Sequence, residues 1–176
     1  MKAESRHFRS NVVLIGMPGA GKSSVGTLLA QRTGLAFIDT DRLIEAAQGQ
    51  TLQDIIDTRG YRTLRRLEEA CLLGLSVNDH VIATGGSAVH SDRAMAHLRS
   101  EGWAVFLDIS LKTVEARIGD YGLRGISRRP NQSLAELFDE RYGLYTRHAD
   151  LKIAADGLTE EQVCERIQRA LPGLHT

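Results

Sequence analysis

Short apolar runs alternate with longer stretches of helical period almost to the end of this chain. Asn11–Ile15 (NVVLI) is a short β-branched run that stops at Gly16, the pattern of a buried strand in a parallel sheet. Residues 35–38, 81–83, 104–109 and 151–154 read as four more strands. Helical spacing fills the intervals, at 22–31, 41–47, 52–57, 62–77, 91–100, 111–118, 134–145 and 159–171. Within 62–77 an apolar stripe runs through Leu64, Leu67, Cys71, Leu72 and Leu75, and Thr159 is placed to cap the closing helix. Strands alternating with helices predict an α/β fold, a three-layer sandwich whose five-stranded parallel sheet is flanked by helices. Ligands in such folds bind at the carboxyl ends of the strands.

Two segments depart from the alternation. Residues 119–133 hold Gly, Pro, Asn and the arginines Arg124, Arg128 and Arg129, too long and too polar for an ordinary connection, so a mobile lid is expected there. Residues 1–10 are charged without an apolar centre and are expected to be a disordered lead. The remaining 11–176 are expected to form one domain.

Composition sharpens this by exclusion. Lysine plus arginine and aspartate plus glutamate both number 22, so the chain lacks the basic excess of a general nucleic-acid or membrane-surface binder. No apolar run approaches the ~18 residues that cross a bilayer. Cys71 and Cys164 lie far apart in helix-like apolar stretches, as two small buried hydrophobes would in a reducing, cytoplasmic setting.

The chemistry begins at the end of the first strand. Gly16-Met17-Pro18-Gly19-Ala20-Gly21-Lys22-Ser23 fits G-x-x-x-x-G-K-[ST], the P-loop, between a strand and a helix. Glycines let backbone N–H groups curl around phosphate oxygens, and the following helix aims its N-terminal dipole at the same anion. The spacing assigns nucleotide binding to Gly16, Gly19, Ala20, Gly21, Lys22, Ser23 and Ser24, with Lys22 on the β- and γ-phosphates and Ser23 on Mg²⁺. Ile38-Asp39-Thr40-Asp41 then sets two carboxylates at a second strand end, suited to hold Mg²⁺ and an attacking hydroxyl, or else to cap the next helix. Thr84-Gly85-Gly86-Ser87 ends the third strand, where paired glycines admit a ligand or a plain turn.

In their order and spacing, GMPGAGKSSVG, FIDTD, RRLEE, ATGGSAV, RGI, ERYGLY and the final AD resemble the shikimate kinase family nearly from end to end. The resemblance implies a nucleoside monophosphate kinase-like P-loop fold and ATP-dependent phosphorylation of shikimate to shikimate 3-phosphate in aromatic amino-acid biosynthesis, by a cytoplasmic monomer. Carried over residue by residue, Asp39 would assist Ser23 with Mg²⁺. Asp41 would orient or deprotonate the acceptor hydroxyl. Arg65 and Arg141 would grip the acceptor carboxylate, with Glu68 bracing Arg65 across one helical turn. Gly85 and Gly86 would offer backbone contacts to the acceptor. Arg117 would lie near the adenine. Arg124 would reach from the lid to the phosphates and act with Lys22 and Asp41 in catalysis. Two arginines on one planar anion suit the paired donors of a guanidinium.

Four positions depart from the family's pattern. Ser87 stands at its third glycine, Leu64 at the phenylalanine before the acceptor arginine, and Tyr61 at an acidic residue. The lid's Arg-Pro-Leu-Leu is here Arg124-Gly125-Ile126-Ser127. All lie on the acceptor or lid side. Two alternatives therefore stay open: a relative acting on another hydroxy acid, and a nucleotide-binding module without transfer.

Overall fold

The computed structural model describes residues 9–119 and 125–174. Five strands, β1 (Asn11–Ile15), β2 (Ala36–Asp39), β3 (His80–Ala83), β4 (Gly102–Asp108) and β5 (Leu151–Ala154), form one sheet in the order β2-β3-β1-β4-β5. Every neighbouring pair is parallel. Among the described residues eight α-helices flank it: α1 (Lys22–Thr33), α2 (Thr40–Gln48), α3 (Leu52–Arg59), α4 (Tyr61–Gly74), α5 (Asp92–Glu101), α6 (Leu111–Ile118), α7 (Leu134–His148) and α8 (Glu160–Ala170). The expected three-layer α/β architecture is the one observed.

β1 lies at the centre and is buried along its whole length, which is why its apolar run shows no alternation. The main core gathers Val13, Leu14 and Ile15 with Val105, Phe106 and Leu107 of β4, covered by Leu29 of α1, Met95 of α5 and Ile167 of α8. A second, smaller core of Ile44, Ile55 and Leu64 ties α2, α3 and α4 to one another. Leu64 therefore turns into this satellite core and is 1% exposed.

The helix starts follow local chemistry. Thr51 with Asp54, Ser133 with Glu136 and Thr159 with Gln162 each form a reciprocal capping box. Asp39 caps α2, its Oδ1 accepting from the backbone N–H groups of Asp41 and Arg42 at 3.1 and 3.4 Å.

Boundaries moved where backbone pairing outweighs side-chain pattern. β4 starts at Gly102 because Gly102 and Trp103 pair with Asn11 and Val12. α4 begins at Tyr61 and ends at Gly74, and α7 runs on to His148. A short 3-10 turn, Ala88–His90, follows the Gly85-Gly86 segment and was not foreseen. No described helix is long and apolar enough to cross a membrane.

Candidate active site

The loop between β1 and α1 wraps the start of α1. Gly19 and Gly21 hold φ of 81° and 88°, a region that a side chain resists and that lets the loop double back. Ala20 donates its N–H to the Met17 carbonyl at 3.0 Å. Lys22 is buried, and its ammonium donates to the carbonyls of Gly16 and Met17 at 2.8 and 2.9 Å. Burial, opposed most by the Asp41 carboxylate, brings its pKa down to about 8. Ser24 lies exposed in the first turn of α1. Arg117, in the last turn of α6, donates from Nη1 to the Gly19 carbonyl at 3.0 Å, so it stands against this loop.

The Ser23 hydroxyl donates to Asp39 Oδ2 at 2.6 Å. A hydroxyl and a carboxylate side by side, next to a phosphate-type loop, fit Mg²⁺, which takes one or two protein oxygens and fills the rest with phosphate and water. No group of three or more His, Cys, Asp or Glu able to hold a metal occurs among the described residues.

Asp41 follows Asp39 into α2 and faces the interior. Its Oδ1 is buried without a hydrogen-bond partner. Burial, relieved by Lys22, pushes its carboxyl up to about 6. Beside it stands a second buried carboxylate, Glu68 of α4, raised to about 7, chiefly by burial and against the hydrogen bond from Ser87. Both carboxylates reach Gly85 so closely that a Cβ there would lie 2.6 Å from Asp41 Oδ1 and closer still to Glu68 Oε1. Gly85 donates its N–H to Thr40 Oγ1 at 3.2 Å, and a Cβ on Gly86 would lie 2.8 Å from Arg141 Nη1. The double glycine is thus the space in which charged side chains meet, which a plain turn would not require.

Arg141 of α7 is 1% exposed. Its Nη2 donates to the Ser127 carbonyl at 2.5 Å, and its Nε is buried without a partner. Arg65 of α4 donates from Nε to the Ser127 hydroxyl at 3.1 Å. One residue therefore joins both arginines. Their closeness shows in charge as well: burial first, and Arg141 second, pull the Arg65 guanidinium below its ordinary value. Arg141, Lys22, Asp41, Glu68, Gly86, Ser87 and Ser127 line one cavity of about 80 Å³.

The structure brings the sequence-selected residues Lys22, Ser23, Asp39, Asp41, Arg65, Gly85, Gly86, Arg117 and Arg141 to one edge of the sheet. Arg124 lies outside the described residues. One expectation needs correction. Arg65 is braced by the Ser127 hydroxyl and by Glu140, 3.9 Å from its Nη2, while Glu68 takes the hydrogen bond of Ser87. The reason is geometric: Glu68 is drawn inward to Gly85 and Ser87, whereas Arg65 leans toward Ser127 in the described part of the expected lid. Glu140, which also accepts from Arg129 and Gln132 at 2.9 and 2.7 Å, had gone unnoticed. Its position directly before Arg141 was the available signal. The described part of the expected lid is anchored on α3, Gly125 donating to Gln53 Oε1 at 2.7 Å.

A glycine-rich phosphate loop opening a helix, a buried lysine and a neighbouring hydroxyl–carboxylate pair on this sheet define a P-loop kinase. The same fold occurs in a deoxyadenosine kinase from M. mycoides, 15% identical with a TM-score of 0.59. A family model described as shikimate kinase matches residues 18–172, and the chain belongs to that family. It is 35% identical to a shikimate kinase from a Sulfurihydrogenibium species over 89% of this chain and 95% of that one. It is 37% identical to one from Symbiobacterium thermophilum, over 92% and 95% of the two chains. Among solved structures it resembles the Acinetobacter baumannii shikimate kinase in complex with shikimate, at 28% identity and a TM-score of 0.84, over 96% of each chain.

Proposed function

We propose that this chain is an ATP-dependent kinase that transfers the γ-phosphoryl group to the 3-hydroxyl of shikimate. The observation that carries the reading is the meeting of Arg65 and Arg141 at Ser127, with Arg141 sharing a cavity with Lys22 and Asp41. Two guanidinium groups beside a phosphate-binding lysine suit an acceptor that is itself a carboxylate.

In this reading the loop amides of residues 16–23 and Lys22 hold the β- and γ-phosphates, Arg117 borders the nucleotide and Arg124 reaches the phosphates from the lid. Arg65 and Arg141 orient the acid, and the backbone at Gly85 and Gly86 lines its ring. Asp41, with a free carboxylate oxygen and a pKa near 6, accepts the proton of the attacking hydroxyl. The acceptor's hydroxyl oxygen forms the new bond to the γ-phosphorus as the bond from the γ-phosphorus to the bridging oxygen breaks, and ADP leaves. Lys22 counters the charge that gathers on the transferring group. Ser23 and Asp39 would hold Mg²⁺, which when bound neutralises phosphate charge. The enzyme works as a cytoplasmic monomer of one domain, with residues 119–133 excluding water from the reacting groups.

The test is ADP release by the purified chain with ATP and Mg²⁺, against shikimate and a panel of other hydroxy acids, the product identified by ³¹P NMR. Turnover of shikimate above all the others is expected. Robust turnover of a different acid rejects the acceptor. Tight ATP binding without transfer to any acid rejects the enzyme in favour of a nucleotide-binding module.

A further inference from the structure

Two of the positions that depart from the family's pattern, Tyr61 and Ser127, meet at one side chain. Tyr61 and Arg65 lie one turn apart on α4, and the Arg65 guanidinium sits over the Tyr61 ring, 5.2 Å from its centre. The Ser127 hydroxyl accepts from Arg65 Nε at 3.1 Å and lies 3.4 Å from the Tyr61 carbonyl, to which its own proton points. Ser127 is 3% exposed. Leu64, at the family's aromatic position, is spent in the satellite core with Ile44 and Ile55 and offers Arg65 nothing. Arg65 is thus fixed on one face by a ring and at Nε by a hydroxyl, while its buried Nη2 makes no hydrogen bond and lies 3.9 Å from Glu140 Oε1. A guanidinium held by its inner edge keeps its outer donors aimed at a planar anion.

We propose that Tyr61 and Ser127 are positioning residues that set Arg65 for the acceptor's carboxylate, a support that this chain built in exchange for the aromatic residue missing at Leu64. The inference rests on the reading of Arg65 as a carboxylate ligand. A substitution at Ser127 leaves its carbonyl, and hence the Arg141 bond, in place, so the side chain can be tested by itself.

The experiment is a set of double-mutant cycles through Arg65, read as separate KM values for acid and ATP. Ser127→Ala is expected to raise the acid KM about 5- to 10-fold, less than the loss of a direct hydrogen bond to a charged group because Ser127 acts on the acid through Arg65. Tyr61→Ala is expected to raise it about 3-fold and Tyr61→Phe to leave it near wild type, since the ring is what supports the cation. Ser127→Thr, which keeps the hydroxyl, is expected to restore binding, and the ATP KM is expected to stay within about 2-fold throughout. In an Arg65→Ala background both effects should vanish. If Ser127→Ala raises the acid KM there by the same factor, or moves the ATP KM instead, the proposal is overturned. A second readout needs no acceptor: the Arg65 Nε–H resonance of the ligand-free protein, assigned by its loss in Arg65→Lys, should shift in Ser127→Ala and Tyr61→Ala but not in Tyr61→Phe. An unmoved resonance overturns the proposal. Should the wild type prefer another acid to shikimate, that outcome rejects the acceptor named above, while both readouts still decide the support of Arg65.

Discussion

The proposed nucleotide half and acceptor half of this site are built on opposite plans. The first is nearly contiguous: residues 16–23 make the cradle from their own backbone, and β1 and α1 fix it from either side. The second draws Asp41 from α2, Arg65 and Glu68 from α4, Gly85 from the end of β3, Ser127 from the described part of the expected lid and Arg141 from α7. A backbone cradle tolerates little change, because amide geometry follows from glycine placement. An assembly of side chains can exchange one support for another, and here Tyr61 and Ser127 surround Arg65 where Leu64 does not.

The comparison can be pressed experimentally, from the largest effect down. Lys22→Ala should lower kcat by ~10³-fold, the scale of losing a preorganised charge at the transferring group. A near-wild-type kcat would mean the cradle works without its cation. Asp41→Asn should cost ~10²-fold or more in kcat. It should also stabilise the fold. The carboxyl's pKa is raised in the folded state, so ionising it opposes folding as pH rises from the ordinary value through about 6. At pH 8 a thermal melt of Asp41→Asn should therefore come out several degrees higher, a gain that disappears in acid. An unchanged melt would show that Asp41 bears no burial strain.

Arg141→Ala should raise the acid KM ~10- to 100-fold and leave the ATP KM almost untouched. A large loss of ATP affinity would erase the division between the two halves. The pH profile of kcat/KM should fall below about pH 6, where Asp41 takes up a proton. With ATP as the varied substrate it should fall again above about pH 8, where the ligand-free Lys22 loses one. A flat profile between pH 5 and 7 would remove Asp41 as the base. The smallest effect is expected at Arg117→Ala, about 3-fold in ATP KM, because this exposed residue touches the cradle through a single bond to Gly19.

The same division governs what could be read in advance. The strand–loop–helix signature, the five strands and most helix spans followed from hydrophobic period and glycine spacing, since both are local. Arg65 and Arg141 could be named from motifs, but nothing local showed that they would share Ser127, because that meeting depends on how α4 and α7 are brought together. Glu68 illustrates the limit. Its spacing from Arg65 suggested a bridge along the helix, yet the space left by Gly85 and the hydroxyl of Ser87 drew it into the interior. Leu64 stands where the family's pattern has a phenylalanine, and the satellite core of α2, α3 and α4 explains the leucine. The 3-10 turn at Ala88–His90 left no periodic trace because three residues are too few to show one.

Asp39 stands astride the divide. One of its oxygens fastens the first turn of α2, from which Asp41 projects, while the other takes the hydroxyl of Ser23. A single carboxylate is thereby the pivot between the half that brings the phosphoryl group and the half that receives it. Neither half can drift in sequence independently of the other at this point, because one side chain bonds to both.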